Sequence, residues 1–94
     1  MSFQVVWQFQ HPSYATTWAD MTPEISCQLE NLYFQHLHER WPGRVSYPAQ
    51  VILPDGTSLY FDFENMTQES EHHNIIRNVR RMMRMLHGGG MGDA

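Results

Sequence analysis

At 94 residues the chain holds one small domain, and its 13% aromatic content, with Trp7, Trp18 and Trp41, supplies the bulky core that a disordered chain lacks. A net charge of −4 argues against general attraction to a nucleic-acid backbone, so neither DNA nor RNA is the expected partner. The single cysteine, Cys27, excludes an internal disulfide, and no apolar run approaches membrane-spanning length.

FQVVWQFQ (3–10) sets Phe3, Val5, Trp7 and Phe9 against Gln4, Val6, Gln8 and Gln10, the period-two pattern of a half-buried strand. HPSY turns the chain, and YATTWADM (14–21) reads as a second strand. A helix follows. Thr22 is a good N-cap, Pro23 suits the first helical position, and Glu24 lies where the dipole favours an acid. Ile25, Leu29, Leu32, Tyr33 and Leu37 form one apolar stripe, and Pro42-Gly43 stops the helix. ENLYFQ (30–35) matches the peptide cut by a widely used viral tag-removal protease, which raises the question of a cloning scar. Its residues complete the helical stripe on both sides, so it reads as native helix.

RVSYPAQVIL (44–53) reads as a strand whose Pro48 points to an edge or a bulge. Pro54-Asp55-Gly56 is a turn, and SLYFDFEN (58–65) is the returning strand, with Leu59, Phe61 and Phe63 on one face and Tyr60, Asp62 and Glu64 on the other. MTQESEHHN (66–74) is polar and turn-like, and HGGGMGDA (87–94) reads as a flexible Gly-rich tail. In IIRNVRRMMRML the periodicity alone favours a helix, with Ile75, Ile76, Val79, Met82, Met83 and Leu86 opposite the arginines.

Charge is segregated along the chain. Residues 1–71 carry two Arg against nine acids, and residues 72–94 carry four Arg against one Asp. A confined Arg patch on an acidic protein suits a small anionic ligand, because the guanidinium fork pairs with phosphate oxygens; the plainer reading is a solvated face. His36 and His38 point apart on a helix, and His72-His73 lacks further ligands at zinc spacing, so no metal is expected. No nucleophile–base pair or phosphate loop stands out, which argues against an enzyme, and no cofactor is called for.

Trp7 two residues before Phe9, Trp18 three before Met21, QLENLY on the helix, FDFENMTQ (61–68) and RNVRR (77–81) resemble, in order and spacing, a WWE domain. The similarity spans about residues 5–81. The resemblance implies an α+β fold over residues 3–86: a strongly curved antiparallel sheet, or half-barrel, with one helix packed in its concave side. It also implies that 75–81 is a strand, against the helical periodicity, and leaves 82–86 open.

WWE domains occur in ubiquitin ligases and ADP-ribosyltransferases, and several bind ADP-ribose or the iso-ADP-ribose unit of poly(ADP-ribose). The resemblance therefore implies a non-catalytic intracellular module, cytoplasmic or nuclear. Its partners would be ADP-ribosylated proteins or poly(ADP-ribose), with a ubiquitin ligase or ADP-ribosyltransferase beside it. Gln68 matches the family's binding Gln, and Arg77 the Arg that meets the phosphates. Arg80 and Arg81 match the following basic pair, of which one can face the site if the segment is a strand. Phe9 and Leu59 stand where the best ligand-binding members carry Tyr. Phe9, Leu59, Gln68, Arg77 and Arg81 are thus the implied ligand-binding set. The alternative is a protein-interaction module of the same fold with a degenerate pocket.

Overall fold

The computed structural model describes residues 2–11, 16–39 and 48–86, with the backbone alone described at His73 and Asn74. The proposed helix stop at Pro42-Gly43, residues 14–15 of the second predicted strand, 44–47 of the third, and the 87–94 tail lie outside the described residues, whereas Thr16 and Thr17, expected in the second strand, precede it, and the strand starts at Trp18.

Six strands and one helix follow in the order β1 (Ser2–Gln10), β2 (Trp18–Asp20), α1 (Pro23–His38), β3 (Ala49–Ile52), β4 (Ser58–Asp62), β5 (Thr67–Ser70) and β6 (His73–Leu86). The strands form one open antiparallel sheet in the order β2-β1-β6-β5-β4-β3. The fold is therefore α+β, as expected. The helix begins as its sequence dictates: Thr22 is extended, its hydroxyl accepts from the Ile25 N–H at 3.3 Å, and Pro23 opens the first turn. ENLYFQ lies wholly within α1.

Alternation puts Val5, Trp7 and Phe9 on the sheet face that carries Val51, Phe61 and Val79. Trp7, Phe61, Leu29 and Val51 are fully buried, and Ile25, Leu32 and Tyr33 of α1 pack on the same cluster. The Trp7 and Tyr33 rings meet edge-on at 5.3 Å. Trp7 is thus a core anchor with two polar tethers to the helix. Its backbone N–H donates to Ser26 Oγ at 3.2 Å, and its indole N–H donates to Glu30 at 3.0 Å.

The turn at 54–56 forms as read, with Gly56 at φ +90° and the Thr57 N–H donating to Asp55 Oδ1 at 2.9 Å. Pro48 directly precedes β3, an edge strand, where its missing N–H costs no ladder bond. Two further expectations change. Strand β4 ends at Asp62, whose carboxylate accepts from the N–H groups of Glu64 and Asn65 and so closes a turn over 63–66. Thr67–Ser70, read from its polarity as turn-like, is a strand, held between β4 and β6. Its side chains alternate between a buried Gln68 and an exposed Glu69, so polarity alone misjudged it.

At β6 the strand implied by the resemblance for 75–81 holds against the helical periodicity. Eight residues of β1 pair with Val79–Leu86, so the whole arginine-rich segment, including 82–86, is extended. The apolar stripe that suggested a helix is not a core face: Ile75, Ile76, Met82 and Met83 are 46%, 64%, 38% and 58% exposed. Ladder hydrogen bonds to two neighbouring strands outweigh a helical pattern that has nothing to pack against.

Candidate functional site

Strand alternation divides the four described arginines between two faces. Arg77 and Arg81 share the face of Val79, whereas Arg80 and Arg84 lie on the other. The confined patch suggested by the sequence is therefore dispersed, and each guanidinium meets a different environment.

On the far face, Arg80 lies 4.2 Å from the Trp18 ring centroid and donates from Nε to Gln8 Oε1 at 2.8 Å. Gln8 in turn donates to Asp20 Oδ1 at 2.7 Å, and Arg84 bridges Asp20 at 3.1 and 3.3 Å. The arrangement ties β2 to β6 across β1. Gln8, placed by the period-two pattern on the outer face, is only 8% exposed because these neighbours cover it. Hydrogen bonds from Arg84, and next from Gln8, hold the Asp20 carboxyl below its ordinary range.

On the near face, Arg81 stands opposite Trp7 and grips Glu30 with two bonds, Nε to Oε1 at 2.9 Å and Nη2 to Oε2 at 2.5 Å. The Arg81 bonds, seconded by the Trp7 indole, lower the Glu30 pKa despite partial burial. Arg81 therefore links β6 to α1, its charge already met by a carboxylate. Sequence reasoning named Arg81 and passed over Glu30; the signal lay in the charge segregation, since acids of β2 and α1 neutralise arginines of β6.

Arg77 differs. It stands directly opposite Gln68, with its guanidinium carbon 5.7 Å from the Phe9 ring centroid. Its buried Nε–H has no hydrogen-bond acceptor. Among the described arginines it alone has neither a carboxylate nor an amide partner. Gln68 is 6% exposed, and its amide makes no side-chain hydrogen bond among the described residues. Burying the Arg77 Nε–H unpaired costs about 1–3 kcal/mol, a cost that an acceptor supplied from outside removes.

Phe9 and Leu59 flank this pair on the same face. Phe9 is paired with Val79, two residues from Arg77, and Leu59 with Ser70, two residues from Gln68. Leu59, Gln68, Arg77 and Phe9 thus follow a diagonal over β4, β5, β6 and β1, about 14 Å measured across the strands, with Leu59 and Phe9 displaced by two residues to opposite sides of the Gln68–Arg77 pair. Both apolar side chains are half-buried against the core. Tyr60 lies on the opposite face, beside a second groove with Asp62, Asn65 and Thr67. Four of the five implied residues are brought together; Arg81 stands two strand repeats further along β6, committed to Glu30.

Among known proteins, residues 5–81 match the family model of the WWE domain. No curated protein matches the chain.

Proposed function

The chain belongs to the WWE domain family, a family of binding modules, and on that premise we propose that it recognises ADP-ribose or the iso-ADP-ribose unit of poly(ADP-ribose). The observation that carries the reading is the buried, acceptor-less Nε–H of Arg77 facing the uncommitted amide of Gln68. A diphosphate supplies the missing acceptors in the planar, paired geometry that a guanidinium prefers.

In this reading Arg77 takes phosphate oxygens, and Gln68 donates to or accepts from the adenine or a ribose. Leu59 gives the adenine its apolar contact on one side of the pair, and the Phe9 ring lines the other end of the site. Arg81 serves indirectly by fixing α1 over a sheet that, as in the family, curves as a half-barrel around the helix. The site contains no paired acid and base, so binding is proposed without chemistry on the ligand.

Calorimetric titration of the chain with ADP-ribose, iso-ADP-ribose and a short RNA tests the proposal. Heat with either ADP-ribose ligand and none with RNA is the expected result. No heat with any of them at millimolar concentration removes the nucleotide reading and leaves a protein-interaction module.

A further inference from the structure

Strand β1 pairs with β6 from Ser2 to Phe9 on one side. On the other side β2 covers Gln8, Phe9 and Gln10 and then ends. At Trp7 the outward backbone groups are still satisfied, the N–H by Ser26 Oγ and the C=O by the Met21 N–H at 2.8 Å. Backbone groups alternate along an antiparallel strand, so Phe3 and Val5 present their N–H and C=O to the same side as Trp7. Among the described residues nothing meets them there.

An open edge of this kind is usually protected by Lys, Pro, a bulge or extreme shortness. SFQVV (2–6) has no charge and no Pro, and its pairing with β6 runs without a register shift. The ribbon it forms with β6 also carries exposed apolar side chains on one face: Phe3 is 58% exposed, Met83 58% and Met85 47%. Beside the edge, between β1 and α1, runs a groove of about 400 Å³ lined by Val5, Met21, Ser26, Cys27 and Asn31 among others. Its acids are already paired, Glu30 with Arg81 and Asp20 with Arg84.

We propose that this edge pairs with the same edge of a second copy, the two β1 strands running antiparallel about a twofold axis at Gln4. The register is self-complementary. Phe3 falls opposite Val5 of the second copy and Val5 opposite its Phe3, and each couple exchanges two backbone hydrogen bonds. Residues directly opposite share a face, so each copy's exposed Phe3 comes down beside the other's Val5, at the mouth of the groove. The uncharged segment sets no repulsion against its own image. Five paired residues per copy cover less than the roughly 800 Å² per partner of a standard interface, so the dimer is weak and concentration-dependent.

Sedimentation equilibrium over a wide concentration range should show wild type passing from monomer to dimer. Val5→Pro removes an N–H that β6 does not use and should leave a folded monomer. Phe3→Lys should do the same and decides the matter if the proline variant does not fold. Disulfide trapping locates the axis. With Cys27→Ser to remove the background thiol, Gln4→Cys lies against its own image at about 4.5 Å between Cα atoms, within disulfide reach. It should cross-link at least tenfold faster than Glu69→Cys, an exposed position on another strand. A wild type that stays monomeric to millimolar concentration overturns the proposal. So does equal cross-linking at positions 4 and 69, and a dimer that persists in Phe3→Lys.

Discussion

Gln68 and Arg77 stand directly opposite each other on β5 and β6, both turned toward the core face and neither holding a side-chain hydrogen bond among the described residues. Every other described arginine is spent on the fold. This contrast makes Arg77 the position where a loss of charge and a loss of stability separate.

Arg77→Ala should abolish most ADP-ribose affinity while leaving the melting temperature unchanged or slightly raised. The substitution deletes a charge-assisted phosphate contact and, in the free protein, a buried donor without an acceptor. Arg84→Ala removes an exposed pair with Asp20 on the other face and should leave affinity intact. Calorimetry and thermal melts on both variants check this. Equal affinity loss in the two, or a large drop in melting temperature for Arg77→Ala alone, counts against the assigned site.

Much of this arrangement was legible in the sequence. Period two in FQVVWQFQ, the Thr22-Pro23 helix start and the Pro54-Asp55-Gly56 turn are local signals, and local hydrogen bonding decides them. β6 was not legible from its own residues, because its conformation is set by pairing with β1 some seventy positions away; only the family pattern R-x-V-R-R pointed to a strand. Gln8 shows the same limit at one residue. Alternation placed its side chain on the outer face correctly, but only the fold brings Arg80 and Asp20 over it.

That correction has a measurable consequence. From the pattern alone, Gln8→Ala should cost little; in the structure it removes the bonds of a nearly buried amide to half-buried Arg80 and to Asp20, an exposed carboxylate that keeps Arg84. A loss of about 0.5–1.5 kcal/mol is expected, since water can reach the groups that lose a partner. Trp7→Ala, which empties the centre of the core and removes the indole tether to Glu30 while the backbone N–H keeps Ser26, should cost about 3–5 kcal/mol or unfold the domain. Urea unfolding of the two variants ranks them, and a Gln8→Ala chain as stable as wild type argues against the far-face network.

Glu30 gives the fold a defined acid dependence. Its folded pKa is depressed, first by the Arg81 bonds, so its contribution is fully present above the unfolded value of about 4.3. It is lost as pH falls from there through the folded pKa, when the carboxylate takes up a proton. Asp20, lowered by Arg84, acts with the same sign. Glu30→Gln should therefore melt lower than wild type at neutral pH, and the gap should close as the pH drops below about 4. A gap that is constant from neutral to acid pH means the charge on Glu30 does not matter.

Leu59 offers the sharpest test of whether the diagonal from β4 to β1 acts as one site. It lies on the face of Gln68 and Phe61, half-buried against the core, where the best ligand-binding members of the family carry Tyr. A ring at that place adds an aromatic contact worth about 0.5–1.5 kcal/mol and a hydroxyl worth a similar amount. Because 1.4 kcal/mol is one decade of affinity, Leu59→Tyr should tighten ADP-ribose binding by roughly tenfold. The matched control is Tyr60→Leu, which changes the neighbouring residue on the opposite face and should leave affinity alone. If Leu59→Tyr folds normally and binds no better than wild type, the adenine does not lie against β4. Should Tyr60→Leu weaken binding instead, the ligand sits in the groove beside Asp62, on the other side of the sheet from Arg77.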